Sequence, residues 1–235
     1  MSEPPAGARA LAMGTAATRP AWLRATEGEH RWWIVLSLVV TIGAQFALPS
    51  RLVLHPAYIA PTVEAVLLVV LAIAHPDRLS RRTQQQRVAS QVLLAIIALT
   101  NATSVVLLIH AITTGRHIEP VTLLVGGGEI WLTNTIVFAL WYWEYDRGGP
   151  AARAHGTSDV PDLLFPQLTD EHLAGNWEPI FVDYLYVSFT NSTAFSPTDT
   201  LPLSRWSKLL FALQAAVSLV TVALIAARAV NILPG

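Results

Sequence analysis

Oxygen-bearing side chains are concentrated between two apolar stretches near the end of this chain, and their types suit cation coordination. Hydroxyl and amide groups can replace part of a cation's hydration shell, and a ring of carboxylates favours cations. A polar, irregular backbone is tolerated at membrane depth only where it is buried in protein or lines a wet cavity. The run therefore predicts a pore-like constriction. Its members are Thr190, Asn191, Ser192, Thr193, Ala194, Phe195, Ser196, Pro197, Thr198 and Asp199.

Three ionisable residues fall inside other apolar stretches, where a charge is costly and is usually paired or functional. They are Glu64, Glu129 and Arg228. The sequence allows two interpretations. In the favoured one, Arg228 pairs with Glu129 or Glu64 and neutralises both charges; in the other, a carboxylate serves as an ion or proton site. Glu129 follows three glycines, Gly126 to Gly128, which permit either close helix contact or local unwinding that exposes carbonyls.

Other kinds of chemistry have no support in the sequence. Cys is absent, which excludes disulfides and thiolate sites. The seven His residues are scattered, and none has metal-ligand spacing with a carboxylate. No serine elbow, phosphate loop, HExxH or dinucleotide motif is present. We therefore expect no enzyme activity, no metal and no cofactor, and a net charge of -1 gives no reason to expect a nucleic-acid partner.

Composition and apolar segment lengths predict an all-α membrane protein. The chain has 235 residues, of which 53% are hydrophobic and only 13% charged. A spanning helix needs roughly 20 apolar residues, with a lower limit of about 17. Five segments qualify, the first two narrowly, and a short pore-like helix before the last is expected to be re-entrant. The five run from about Trp32 to Leu48, Ala57 to Ala74, Val88 to Ile112, Val121 to Trp143 and Trp206 to Ile232.

Arginine placement predicts the orientation of these segments. Basic residues are frequent before the first segment and between the second and third, and rare in the alternate connections. The positive-inside bias then places the N-terminus in the cytoplasm of a multi-pass plasma-membrane protein. Counting four crossings returns residues 144–179 to the cytoplasm. We expect a disordered tail over residues 1–31, a three-helix membrane region over 32–120 and a pore-domain-like unit over 121–235.

Residues Ser188 to Ser204 resemble the pore loop of tetrameric potassium-type channels. The pattern S-F-T-T-L-T-T-V-G-Y-G-D-x-x-P-L-S aligns without a gap with S-F-T-N-S-T-A-F-S-P-T-D-T-L-P-L-S in this chain. Both filter glycines are replaced, so a potassium-selective filter of the usual kind is not expected. The resemblance implies an outer helix over Val121 to Trp143 and an inner helix after Ser204.

The chain also resembles a family of bacterial membrane proteins of unknown function, to which its length and organisation are closer. The family's Y-x-x-F-L-Y-F-S-F segment is similar to residues Phe181 to Phe189, and its A-V-N-I motif is present at Ala229 to Ile232. This resemblance implies an architecture and no activity.

Three functions remain open from the sequence. The first is a channel-like oligomer, a tetramer if the pore interpretation holds, that passes a monovalent cation across the lipid bilayer. The second is a non-conducting structural or regulatory subunit, which is favoured by the missing glycines and by a charge count that places the pore-like loop on the cytoplasmic side. The third, a small secondary transporter, rests on Glu64, Glu129 and the glycines, and no inverted repeat supports it.

Overall fold

The structure is a computed structural model that describes residues 21–74, 83–114, 119–157, 160–170, 175–193 and 199–230. In these residues the chain is mostly helical, as expected, with seven α-helices. In chain order they are α1 (Trp32–Ala47), α2 (Ile59–Ala74), α3 (Gln84–Thr113), α4 (Pro120–Tyr145), α5 (Pro150–Ala154), α6 (Phe181–Thr193) and α7 (Arg205–Val230).

Three of these helices, α3, α4 and α7, are long and apolar enough to cross a membrane. Helices α1 and α2 are apolar but have only 16 residues each, which is about 24 Å against a hydrocarbon thickness of about 30 Å. Membrane-spanning length is therefore confirmed for three of the five expected segments. Five spans are not shown.

Local sequence signals fix several helix ends. Thr83 and Gln86 form a reciprocal capping box at the start of α3, in which each side chain accepts from the other's backbone N–H. Pro120 occupies the first turn of α4, where its missing N–H removes no helical bond. These signals place the breaks between α2, α3 and α4 close to where the sequence predicts them.

Helices α4, α6 and α7 form the best-packed part of the molecule, and their contacts define their directions. Tyr142 meets Gln214 and Asn134 meets Ser218, so α4 and α7 are antiparallel. Tyr184 of α6 contacts Asp146 just beyond the end of α4, whereas Ser192 contacts Thr135 in its middle. The first residues of α6 and α7 therefore lie at the same end of the bundle.

A small antiparallel ladder joins the two connections at that end. Strand β1 (Leu163–Leu164) pairs with β2 (Leu201–Pro202), with Leu163 opposite Pro202. The sequence predicts only a loop with an amphipathic turn around Leu163 to Leu173. The structure instead has a strand followed by a 3-10 turn at Pro166–Leu168, because β1 finds a partner almost forty residues away.

The distribution of polarity is inverted relative to a water-soluble bundle. Large apolar side chains are exposed on the outer faces of α2, α3 and α7, including Ile73, Leu99 and Leu209. Polar side chains such as Gln214 and Glu64 are fully buried. Extensive exposed apolar surface indicates contact with lipid or protein, which agrees with the membrane assignment.

Residues 21–31, which the sequence places in a disordered tail, are packed against the bundle. The carbonyl of Trp22 accepts a hydrogen bond from Arg147 at 2.9 Å. Thr26 donates its backbone N–H to the carbonyl of Ala154 at 2.8 Å. The buried polar groups of residues 143–154 hold this segment in place.

Candidate functional site

A buried glutamine joins α4, α6 and α7. Gln214 lies in the middle of α7 and is fully buried. Its Oε1 accepts from the hydroxyl of Tyr142 at 2.6 Å and from Nδ2 of Asn191 at 2.9 Å. Its Nε2 lies 2.6 Å from Oγ of Ser188 and 2.7 Å from Oγ of Ser192. Both ends of the amide are therefore satisfied by side chains of the other two helices.

The network continues from α6 back to α4. Ser188 donates its hydroxyl to the backbone carbonyl of Thr135 at 2.6 Å, and the Thr135 hydroxyl bonds Ser192 at 3.1 Å. Nδ2 of Asn191 also lies 3.1 Å from the carbonyl of Phe211 on α7. We call the set Thr135, Tyr142, Ser188, Asn191, Ser192 and Gln214 the glutamine network.

A second polar layer lies deeper along the same helices. Nδ2 of Asn134 donates to Ser218 at 3.1 Å, and Nδ2 of Asn101 on α3 lies 3.4 Å from Oδ1 of Asn134. All three side chains are buried. Hydrogen bonds of this kind fix the register of helices that contact one another in a lipid environment.

The predicted pore-like residues separate into three groups in the structure. The side chains of Thr190 and Thr193 bond to carbonyls of their own helix, and those of Asn191 and Ser192 belong to the glutamine network. Asp199 is exposed. The residues from Ala194 to Thr198, including Phe195, Ser196 and Pro197, lie outside the described part of the chain.

Two aspartates anchor the connection that follows α4, and we call them the loop anchor. Asp146 accepts from the Tyr184 hydroxyl at 2.6 Å and from the backbone N–H groups of Asp162 and Leu163 at 3.0 and 3.2 Å. Asp162 accepts from the backbone N–H of Arg147 and from Nε1 of Trp206, each at 2.9 Å. The loop anchor thus fastens the starts of both α6 and α7 to the end of α4.

Two buried arginines surround the loop anchor. Arg153 donates to the carbonyls of Trp143 and Asp146 at 2.7 and 2.8 Å, where a cation also compensates the partial negative charge of the α4 C-terminus. Arg147 adopts a left-handed backbone with φ of 51°. A non-glycine residue in that region is strained by about 1–2 kcal/mol, and the bonds at Arg147 hold it there.

Glu29 connects the N-terminal segment to the start of α6. Its Oε1 accepts the backbone N–H of Phe181 at 2.7 Å, and its Oε2 accepts Nε1–H of Trp143 at 2.9 Å. Burial raises the pKa of this carboxyl, while these two hydrogen bonds act in the opposite direction. The carboxylate therefore satisfies an N-terminal backbone donor of α6.

The structure describes the side chains of two of the three charged residues that the sequence places inside apolar stretches. Glu64 accepts from the Thr100 hydroxyl at 3.2 Å, Glu129 is half-buried, and the side chain of Arg228 lies outside the described residues. The expected pairing of Arg228 stays a prediction. The glycines before Glu129 lie within the continuous helix α4.

Close helix contact, rather than unwinding, accounts for two of these glycines. A Cβ on Gly126 would meet Cδ1 of Leu52 at 2.7 Å, and one on Gly127 would meet Cγ1 of Ile225 at the same distance, whereas one on Gly128 would meet nothing within 4 Å. Gly126 and Gly127 thus make room for their neighbours.

Sequence reasoning missed the loop anchor, Glu29 and Gln214. The signal for Gln214 was a lone amide in an otherwise apolar helix, because a polar side chain there requires a partner. Within the described residues, no group of three or more His, Cys, Asp or Glu could hold a metal ion.

Fold and site together define a helical protein with three membrane-length helices and a buried interhelical hydrogen-bond network. No family model, curated protein or solved structure matches this chain.

Proposed function

We propose that this chain is a non-conducting structural or regulatory subunit of the bacterial plasma membrane, and that α6 is a re-entrant packing helix. The observation that carries the proposal is that the four described pore-like side chains of α6 bond within the chain. A pore-lining group must instead be available to exchange bonds with a passing ion.

The re-entrant geometry is supported by the shared end of α6 and α7. With 13 residues, α6 has a length of about 20 Å, which is too short to cross a hydrocarbon layer of about 30 Å. Since α7 begins at the level of Trp206 and Asp162, the chain returns after α6 to the end from which it entered. Under the positive-inside assignment that end faces the cytoplasm.

Single-cysteine labelling tests the geometry, and the natural absence of Cys makes every introduced thiol unique. Asn176→Cys and Leu203→Cys flank the re-entrant segment at exposed positions. In oriented vesicles both are expected to react with an impermeant maleimide from the same side. Reaction from opposite sides would show that α6 crosses the membrane and would overturn the re-entrant proposal.

Ion flux from liposomes containing the purified protein tests the non-conducting assignment. We expect the K⁺ and Na⁺ efflux of protein-containing liposomes to equal that of empty liposomes. Ser192→Cys should remain protected from a thiosulfonate reagent, because Ser192 is buried between helices, and Asp199→Cys should react. Cation flux that is lost on modification of Ser192→Cys would overturn the proposal.

Conduction is the second candidate, and the exposed carboxylate of Asp199 favours it. An acidic side chain repeated around an oligomer axis attracts cations to a pore mouth. In this case the protein should be a tetramer, and Asp199→Asn should reduce cation flux. A monomer or dimer without flux removes this candidate.

A further inference from the structure

An apolar cleft with a volume of about 90 Å³ lies between α1, α2, α3 and α4, and its lining residues are distinct from those of the glutamine network. The lining follows α1 from Arg31 to Leu38, which corresponds to an axial rise of about 10 Å. The cleft is therefore elongated, with room for several groups the size of a methylene. Its apolar wall includes Ile34, Leu38, Leu68, Leu94, Leu140 and Trp143.

One end of the cleft, which we call the mouth, is polar. Arg31, Gln86 and Ser90 line the cleft there, and each of these residues is partly exposed. Arg31 directly precedes α1, and Gln86 and Ser90 lie near the start of α3. A ligand in the cleft can therefore contact polar side chains that have accessible surface.

The charge around the mouth is positive on balance. Glu144, a buried residue at the end of α4, lines the cleft and also an adjoining polar cavity of about 120 Å³. Arg87 lines that second cavity. Among the described residues that line the two cavities, the charged groups are thus the guanidiniums of Arg31 and Arg87 and the carboxyl of Glu144. A cavity mouth with a positive balance attracts an anionic group.

Exposed aromatic side chains indicate the depth of the mouth in the membrane. Trp32 and Trp33 directly follow Arg31, are 51% and 36% exposed, and stack with their ring centroids 3.5 Å apart. Tryptophan is enriched at the membrane–water interface, at the level of the lipid headgroups. The mouth is therefore at headgroup depth, and under the positive-inside assignment it faces the cytoplasmic leaflet, whose surface is negatively charged.

These features together select the kind of ligand. An elongated apolar cleft accommodates a hydrocarbon chain, and a cationic mouth accommodates an anion that is attached to this chain. At headgroup depth a phospholipid has both parts, and its phosphate accepts strong hydrogen bonds from arginine. A zwitterionic headgroup would bring a second cation close to Arg31 and Arg87, which is unfavourable. An anionic headgroup avoids this repulsion.

We propose that the cleft between α1, α2, α3 and α4 binds one acyl chain of an anionic phospholipid of the cytoplasmic leaflet, whose phosphate lies at the mouth beside Arg31, Gln86 and Ser90. Arg87 adds attraction from the adjoining cavity. The bound chain connects the short helices α1 and α2 to the longer α3 and α4. The site uses no residue of α6, so it stands whether or not the protein conducts.

Native mass spectrometry of the full chain released from detergent micelles tests the site. Dioleoyl phosphatidylglycerol is the anionic probe, and dioleoyl phosphatidylcholine is the zwitterionic probe with the same acyl chains. The ratio of lipid-bound to free protein during each titration gives the Kd of the first bound lipid. We expect one phosphatidylglycerol per chain, bound about fivefold or more tightly than phosphatidylcholine, because arginines at the lipid surface attract an anionic headgroup.

Two pairs of variants locate the bound lipid. Ala72→Phe fills the cleft and should weaken binding of both lipids about tenfold or more. Its control is Ala60→Phe, which places the same side chain in a separate cavity on the same helix and should bind like wild type. Arg31→Gln should reduce the preference for phosphatidylglycerol about fivefold, whereas Arg51→Gln, beyond the other end of α1, should preserve it. If Ala72→Phe does not fold, the arginine pair gives the answer.

Three results would overturn the proposal. Equal affinity for the two lipids would show that the cationic mouth plays no part in binding. Binding to Ala72→Phe as tight as to Ala60→Phe would place the lipid outside the cleft. Absence of any bound lipid on the folded wild type would show that the cleft is a packing gap without a ligand.

Discussion

The hydroxyl of Tyr142 and the amide oxygen of Gln214 meet at 2.6 Å in the interior between α4 and α7. Tyr142 is also packed against the ring of Phe211 at 4.8 Å between centroids. Aromatic packing and a buried hydrogen bond thus coincide at one crossing point. The position of α6 depends on this point, because Gln214 also bonds Ser188 and Ser192.

Replacement of Gln214 by Leu should destabilise the protein by about 2 kcal/mol, because several buried polar groups lose their partner while side-chain volume is nearly kept. Detergent-induced unfolding followed by tryptophan fluorescence measures the change. Leu213→Ala is the matched control, since Leu213 is exposed on the adjacent position. Equal stability of Gln214→Leu and wild type would show that the network adds nothing to the fold.

The three consecutive glycines of α4 should respond differently to alanine. Gly128→Ala should stabilise the fold by about 0.5–1 kcal/mol, since it lowers the entropy cost of a helical glycine at an open position. Gly127→Ala should destabilise it by about 1 kcal/mol through overlap with Ile225. The same unfolding assay compares the pair. Equal effects at both positions would contradict the close approach of α4 and α7.

Arg147 offers a direct measure of backbone strain. Arg147→Gly and Arg147→Ala both remove the bond to the Trp22 carbonyl and the guanidinium stacked 5.2 Å above the Trp22 ring. Only glycine adopts the left-handed conformation without strain, so Arg147→Gly should be more stable than Arg147→Ala by about 1 kcal/mol. Their difference in unfolding midpoint tests this. An alanine variant as stable as the glycine variant would rule out strain at φ of 51°.

Glu29 should make stability depend on pH. Its pKa is raised above the ordinary value of 4.5 by burial, so the unfolded chain releases this proton first as pH increases. The stabilisation that arises from this raised pKa is fully present below pH 4.5. It is lost as the pH rises through the pKa that Glu29 has in the folded state.

Thermal unfolding of wild type and Glu29→Gln measures the effect. The pH is varied from about 4, near the ordinary pKa of a carboxyl group, to about 7. The wild type should lose stability relative to Glu29→Gln on going up this range. The exposed Glu27 provides the control variant Glu27→Gln. A wild-type advantage that grows with pH would mean that the bonds from Phe181 and Trp143 outweigh burial.

The long helices were predictable because apolar length is a local property of the sequence. The extents of α3, α4 and α7 agree with their apolar segments to within a few residues, and α6 lies where the sequence predicts a short helix before the last segment. In α1 and α2 the apolar runs include residues outside the helices, such as Leu48, so counting them overstated the helix length.

The candidate site was less predictable because it depends on contacts distant in sequence. The sequence left two possibilities for the hydroxyls on α6, which were lining a pore or bonding inward. For Ser188 and Ser192, the positions of Gln214 on α7 and Thr135 on α4 decide for inward bonds. The sequence places Asp146 and Asp162 in the polar connection of residues 144–179 and gives no sign of their partners. The antiparallel ladder of Leu163 and Leu164 with residues 201–202 and the hydroxyl of Tyr184 leave Asp146 buried and Asp162 half-buried.

The shared end of α6 and α7 has a consequence for biosynthesis. Two of the groups that bond α6, the Gln214 amide and the Phe211 carbonyl, belong to α7, which is synthesised after α6. Ser188 and Ser192 already have a partner in Thr135 of α4, but until α7 is made the Asn191 amide lacks the partners that make its burial in lipid favourable. Complete docking of α6 is therefore expected to await α7 and to be coupled to its insertion.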